Sequence, residues 1–361
     1  MNNLSLRLFL DARLSNCSGI GRFICNIIFG LDQLGVSGNL LTQLSTDFKS
    51  CKSFYYSSWK APIYSFSEQL GHPAFWTAMR RGYLIHAPHF NHPIFAPAPH
   101  ILTIYDLTHL EFPELFSKKQ IALLKLLLPF TLYRARLIHA ISQSTADSLI
   151  KFYPFTQNKI RVIHLGIESK FSPAHSDEAL PATPYFLYVG NLKPHKNLTS
   201  LLDAFALVVS DLPSYRLKII GKDFLSEQLA KEVRSRNLHE RVDLEGELDE
   251  NLLLNRYRHA TALVHPSLAE GFGFTPLEAM ACGTPALVSR AGSLPEVCGD
   301  AALYFDPHKP EEIAARMKQI VVENNLRQEM IEHGLQHVKK FTWKKCVDGI
   351  VELYREAAAK K

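Results

Sequence analysis

Glu270-Gly-Phe-Gly-Phe-Thr-Pro-Leu-Glu278 sets two carboxylates, with seven residues between them, around a turn of glycines and aromatics. The preceding Ala262-Leu-Val-His-Pro266 is apolar and reads as a buried parallel strand, and Pro276 to Ala281 reads as the opening of a helix with proline in its first turn. The Gly271–Thr275 link then lies beyond the carboxyl end of a strand. Ligands bind there in open α/β sheets, and the helix that follows offers unpaired backbone N–H groups to phosphate. Gly271 and Gly273 let the backbone come close to such a ligand, with Phe272, Phe274 and Thr275 lining the turn. Glu270, at the strand end, can accept hydrogen bonds from hydroxyls. Glu278, about one and a half turns into the helix, points back toward the same cleft. The arrangement suits a sugar nucleotide; a strand, a glycine turn and two solvated glutamates is the reading that the spacing alone leaves open.

Further segments follow in order. Tyr185-Phe-Leu-Tyr-Val-Gly-Asn-Leu-Lys-Pro-His-Lys-Asn-Leu198 is a strand and loop, and Leu217-Lys-Ile-Ile-Gly-Lys222 is a second strand. Val264-His-Pro-Ser-Leu-Ala-Glu270, Glu278-Ala-Met-Ala-Cys-Gly-Thr-Pro285 and Gly292-Ser-Leu-Pro-Glu-Val297 complete a set that covers nearly all of the second half. Together these resemble the retaining glycosyltransferases of family 4, also described as glycosyl transferases group 1, which have the GT-B fold. The resemblance implies an α/β chain of two Rossmann-like, doubly wound domains facing a central cleft. It also implies transfer of a hexose, mannose first, from a nucleotide-diphosphate sugar to a saccharide or lipid-linked acceptor in bacterial surface polysaccharide or glycolipid synthesis. GDP-mannose is the expected donor and a UDP-hexose the next. Neither a metal nor a cofactor is implied, and the chain has no Asp-x-Asp metal motif.

Roles carry over residue by residue. Glu270 would hold the sugar hydroxyls, Glu278 the ribose, Lys196 the diphosphate, and the Phe272–Thr275 backbone the phosphate or sugar. Fixed cations and N–H donors are needed because negative charge grows on the leaving diphosphate. Relatives commonly carry Arg directly after the glycine of this loop, where Gly190 is followed here by Asn191; Lys193, His195 or Lys222 can compensate. Base recognition falls on the backbone around Asp243-Leu-Glu-Gly-Glu247, Gly246 included. In the first half, Ser18-Gly-Ile-Gly-Arg22 opens a helix after the first strand. Gly19 is carried over as a donor-side glycine, although a Gly-x-Gly-x-x-Gly fingerprint fails at Ile24. Relatives often carry His-Asp where Tyr105-Asp106 stands here, so Asp106 and, in place of the missing histidine, His109 are the catalytic candidates of that loop.

With 361 residues, 47% of them hydrophobic, the chain can build two cored domains. A formal charge of +5 argues against a nucleic-acid binder. Six scattered cysteines without a Cys-x-x-Cys pair suggest neither a zinc site nor a disulfide framework, and a reducing cytosol is the expected home, with the inner face of the cytoplasmic membrane as the alternative placement. Apolar runs give strands near 6–11, 101–105, 137–141 and 160–163, while 40–100 reads only as loops and short elements. A Pro, Ser and Ala cluster marks a linker at 175–184 between domains 1–174 and 185–340, with 341–361 a helix that crosses back to the first domain. Phe116–Phe130 combines lysines with a dense apolar stripe, suited either to the core or to lying on a bilayer surface. Two other readings stand beside the transferase: an isomerase or phosphorylase on the same fold, and a noncatalytic sugar-nucleotide-binding partner.

Overall fold

A computed structural model of the chain describes residues 7–43, 48, 50–61, 65–174, 181–222 and 227–359, with Ser18 described by its backbone alone. The chain divides into two compact units, Met1–Gly166 with Thr342–Lys361, and Ile167–Phe341. The division therefore falls ahead of 175–184, of which 175–180 lie outside the described residues.

The first unit holds β1 (Arg7–Asp11), β2 (Ser37–Thr42), β3 (Phe54–Ser58), β4 (Leu84–Ala87), β5 (Ile101–Ile104), β6 (Leu137–Ala140) and β7 (Ile160–Val162). They form one parallel sheet in the order β3-β2-β1-β4-β5-β6-β7. Strands β4, β5 and β6 are buried at every position, as parallel strands covered on both faces must be, and each carries one buried polar residue, His86, Thr103 or His139, among apolar ones. The end of β2 and the whole of β3 and β4 fall in the stretch 40–100 that reads from sequence only as loops and short elements. β2 opens with Ser37-Gly-Asn39, a poor strand former, and β3 is half-exposed at the sheet edge.

The Lys118–Arg134 helix packs one face into the core and leaves another exposed. Ile121, Leu124, Leu128, Thr131 and Leu132 are buried, while Leu123, Leu126, Phe130 and Tyr133 are exposed. The Trp343–Ala359 helix belongs to this unit and buries Val347, Ile350 and Tyr354. A polar chain ties it to the sheet: His86 Nδ1 meets the Tyr354 hydroxyl at 2.8 Å and His86 Nε2 meets Thr103 Oγ1 at 2.9 Å. Thr103 Oγ1 meets His139 Nδ1 at 3.1 Å, and His139 donates from Nε2 to the Ile163 carbonyl at 2.8 Å. Burial pushes His86 down to about 3 and His139 to about 4, so both rings are neutral.

The second unit is a parallel sheet of β8 (Tyr185–Gly190), β9 (Arg216–Gly221), β10 (Val242–Glu245), β11 (Ala262–His265), β12 (Ala286–Ser289) and β13 (Ala302–Phe305), in the order β10-β9-β8-β11-β12-β13. β8 feeds both faces, with Phe186 and Tyr188 in one apolar cluster and Tyr185 and Leu187 in the other, as the two-residue period of a strand requires.

Each sheet reverses direction once. The chain runs from β1 out to β3 and returns to the other side of β1 with β4; in the second unit it runs from β8 out to β10 and returns with β11. Connections leaving the two strands at each reversal diverge, and a crevice opens at their carboxyl ends.

Candidate active site

At the reversal of the second unit, the loop after β8 and the loop after β11 meet. Lys196 donates to Glu270 Oε1 at 2.5 Å, with the two side chains only 16% and 12% exposed. The same oxygen accepts from His265 Nε2 at 2.6 Å and from the Ser267 hydroxyl at 3.1 Å. A carboxylate accepts and does not donate, so His265 carries its proton on Nε2. Its Nδ1 is buried and has no partner among the described residues. Burial by itself would push the Glu270 carboxyl up, but the Lys196 ammonium and the His265 ring hold it well below the usual carboxylate range. Glu270 Oε2 accepts no hydrogen bond from a described residue, which leaves it as the face of the carboxylate open to a hydroxyl.

Backbone geometry fixes both partners. Asn197 adopts a left-handed φ of 56°, and its amide donates to the carbonyls of Pro266 at 3.1 Å and Pro307 at 2.7 Å. The Leu268 amide donates to the His195 carbonyl at 2.7 Å, so the two loops are sewn together on either side of the ion pair. The Glu270 carbonyl accepts from the Ser293 amide and the Ser293 hydroxyl, each at 3.1 Å. Gly292, at φ +54, lies so close that a Cβ there would stand 2.6 Å from that carbonyl oxygen. Asn191 turns its own loop by accepting from the Lys193 amide at 3.1 Å. Gly190 packs under the Tyr188 hydroxyl, where a Cβ would come within 2.7 Å.

Gly273 caps the Phe274–Ala281 helix at φ 97°, and Phe272 packs edge-on against Phe274 at 5.4 Å. Gly271, Phe272, Gly273, Phe274 and Thr275 thus form the turn that leads from Glu270 to a helix N-terminus. Glu278 is buried in that helix and accepts from the Tyr257 hydroxyl at 2.8 Å. Lys222, at the end of β9, is exposed. Gly246 follows β10, whose Asp243 and Glu245 are taken by Arg216, Lys218 and Arg256.

The remaining predicted residues lie in the first unit. Gly19 is the second residue of the Ser18–Gln33 helix, but the glycine that the packing demands is Gly21, where a Cβ would meet the Ser15 carbonyl at 2.1 Å. Asp106 accepts from the Thr108 amide at 2.9 Å, and His109 stacks on Phe116 with 4.1 Å between centroids. The reversal of this sheet holds residues that sequence reading missed. Arg13 is buried against Asp11 through Nε at 2.8 Å and Nη2 at 2.7 Å, and against Glu68 through Nη1 at 2.6 Å. Asn91 donates to both Glu68 oxygens at 2.9 and 3.1 Å. Desolvation takes His89, beside them, down to about 4, although Asp106 and Asp11 pull the other way. No cluster of three or more metal-ligating side chains stands among the described residues.

The two halves match separate family profiles: residues 17–171 match Glycosyltransferase Family 4 and residues 174–337 match Glycosyl transferases group 1. The O-antigen chain mannosyltransferase B of Escherichia coli is 28% identical over 285 residues, 76% of this chain and 74% of that protein. The O-antigen chain mannosyltransferase RfbU of Salmonella typhimurium is 33% identical over 221 residues, 61% of this chain and 60% of that protein. Sucrose-phosphate synthase from Thermosynechococcus elongatus superposes with a TM-score of 0.80 at 20% identity, covering 99% of this chain and 100% of that one. Two parallel doubly wound sheets, a Lys196–Glu270 pair at the reversal of the second and these matches along both halves place the chain among the GT-B glycosyltransferases, with a family 4 and a group 1 domain in tandem.

Proposed function

We propose that the protein is a retaining hexosyltransferase that takes mannose from GDP-mannose and passes it to a saccharide or lipid-linked acceptor of a bacterial surface polysaccharide. The observation that carries the reading is the Lys196–Glu270 pair at the crevice of the second unit. Mannose is favoured over a UDP-linked hexose because two relatives that align with this chain are mannosyltransferases by name.

Lys196 spends one of its three N–H donors on Glu270, and the other two can meet a diphosphate. Glu270 Oε2 takes a sugar hydroxyl, while His265 and Ser267 keep the carboxylate in place when the ammonium turns to the phosphate. The Phe272–Thr275 turn presents backbone N–H groups at the start of the Phe274–Ala281 helix. In the transfer, the bond from the sugar C1 to the phosphate oxygen breaks and a bond from C1 to the acceptor oxygen forms on the same face. The acceptor proton goes to the leaving phosphate, so no side-chain base is required. Glu278 is assigned to the ribose, and Asp106 and His109 remain the catalytic candidates of the first unit.

The test is thermal stabilisation by GDP-, UDP-, ADP- and dTDP-sugars, since a ligand that binds only the folded state raises the melting temperature. One nucleotide class is expected to stabilise the wild type and to leave Lys196→Ala unmoved. The anomeric configuration of the product then reports retention. No shift with any donor would sink the reading.

A further inference from the structure

The amino edge of the first sheet, at the far end of its strands from the crevice, gathers cations without acids. Arg7 opens β1, Arg81 stands three residues ahead of β4, and His100 and Arg136 immediately precede β5 and β6. These four strands are neighbours in the order β1-β4-β5-β6, so the side chains come from adjacent strand ends. Together with Met79 and Tyr83 they line one cavity of about 420 Å³, and no aspartate or glutamate is among its described lining.

The cations there have donors to spare. None of the three arginines has a carboxylate partner among the described residues, and the one bond their guanidinium groups make is from Arg136 Nη1 to the Ala357 carbonyl at 2.6 Å. Arg161, on the next strand, is by contrast paired with Glu356, as Arg13 is with Asp11. His100 Nδ1 accepts from the Ile85 amide at 3.1 Å, so the neutral ring carries its proton on Nε2, and no described residue accepts it. Burial, and after it the neighbouring Arg136, lowers the ring below the ordinary histidine range, which keeps it in that neutral form. Like charges collected around a cavity repel one another, and an anion placed among them supplies the missing counter-charge.

Guanidinium forks match the oxygens of a phosphate in pairs. At about 30 Å³ per water-sized group the cavity holds roughly fourteen such groups, more than a bare phosphate fills. Met79 and Tyr83 offer an apolar wall to the remainder. We propose that this cavity binds a soluble organic phosphate of about the size of a hexose phosphate. Arg7, Arg81 and Arg136 meet the phosphate, His100 Nε2–H donates to one of its oxygens, and the organic part lies against Met79 and Tyr83. With β1 five and β4 four residues long, the site is roughly 13–17 Å along the strands from the crevice of the same sheet. It does not depend on whether the Lys196–Glu270 pair transfers sugar.

Isothermal titration calorimetry of the whole chain with glucose 6-phosphate tests the site, with inorganic phosphate and glucose as the comparisons. Glucose 6-phosphate is expected to bind one molecule per chain and to weaken as salt rises, with inorganic phosphate weaker and glucose without effect. One charge-assisted hydrogen bond is worth about tenfold in affinity, and solvent screening reduces what an exposed arginine contributes. Arg7→Gln with Arg81→Gln should therefore weaken binding by about tenfold or more. Both arginines are exposed and unpaired, so the unliganded melting temperature of this variant should be unchanged or raised, which shows that it folds. Lys196→Ala should bind glucose 6-phosphate like the wild type, which separates this cavity from the crevice of the second unit. No binding, equal binding of glucose or inorganic phosphate, an affinity that survives the double substitution, or one lost in Lys196→Ala would overturn the proposal.

Discussion

Replacing Lys196 by Met keeps the length of the side chain and removes the ammonium 2.5 Å from Glu270 Oε1. Deleting one partner of a buried ion pair costs about 3–5 kcal/mol, since the other charge is left uncompensated. Here His265 Nε2–H and the Ser267 hydroxyl remain on the carboxylate, which argues for the lower end, about 3 kcal/mol at neutral pH. For a unit of this size each kcal/mol moves the melting temperature by about 2–4 °C, so a fall of roughly 6–12 °C is expected. The pH dependence has a definite sign. In the wild type the Glu270 carboxyl is held below its unfolded value of about 4.3, so its contribution is present at neutral pH and is lost as pH falls through the acid range. Without Lys196, burial pushes the carboxyl up with its main opponent gone. If that lifts it above the unfolded value, the folded variant takes up the proton first, and its deficit against the wild type shrinks between about pH 7 and about pH 5. Urea denaturation followed by circular dichroism across that range measures both effects. A deficit below about 1 kcal/mol at neutral pH, or one that grows on acidification, would refute the idea that Lys196 keeps a buried Glu270 ionised.

Gly292→Ala should place a methyl group 2.6 Å from the Glu270 carbonyl at φ +54, costing about 1–3 kcal/mol, and should weaken donor binding because the Glu270 backbone must move. Unfolding and thermal-shift titrations read the two losses separately. Arg13→Met strands Asp11 and Glu68 in the first unit and should cost about 3–5 kcal/mol in urea unfolding, with partial recovery on adding Glu68→Gln. His86 and His139 sit near 3 and 4 when folded and near 6.5 when unfolded, so the unfolded chain binds the extra protons below neutrality. Stability is full above about pH 6.5 and should fall by about 2 kcal/mol per ring by about pH 5, a loss that His86→Asn should reduce if the variant folds.

The strand before Glu270 and the turn after it were legible because a buried parallel strand leaves an unbroken apolar run and because glycine and proline punctuate it. Strand β4 was not, although its Leu84-Ile-His-Ala87 repeats the Leu137-Ile-His-Ala140 of β6: it stands in a stretch crowded with His, Pro and aromatics, and the burial of His86 makes sense only with Thr103 and Tyr354 beside it, and Tyr354 is 268 residues away. Glu68 had no local signal for the same reason: it lies on the four-residue Phe66–Gln69 helix, 55 residues from Arg13. His265 and Ser267 lay inside a quoted motif, but a strand read for its hydrophobicity does not say which polar side chains turn toward the next carboxylate. The Lys118–Arg134 helix looked apolar nearly all round, and only its packing separates a buried face from an exposed one.

The two sheets place an acid and a cation at the same topological position, yet they differ in how far they are closed off from a ligand. Arg13 forks onto Asp11 and reaches Glu68 with three of its five N–H donors, and the three side chains are between 0% and 8% exposed, so burial closes this group off. Lys196 is a point charge with one donor engaged, opposite a carboxylate with one oxygen engaged. If that reserve is what binds the donor, Lys196→Arg is not conservative. A guanidinium can engage both Glu270 oxygens in a planar fork, taking Oε2 away from the sugar and its own N–H groups away from the diphosphate. Charge and pairing survive, so unfolding stability should stay within about 1 kcal/mol of the wild type, while stabilisation by the nucleotide sugar should weaken by about tenfold or more. Lys196→Met loses both properties and Lys196→Arg only one, which separates holding the site together from holding the substrate. Donor binding by Lys196→Arg at the strength of the wild type would show that Oε2 is not where the sugar is held.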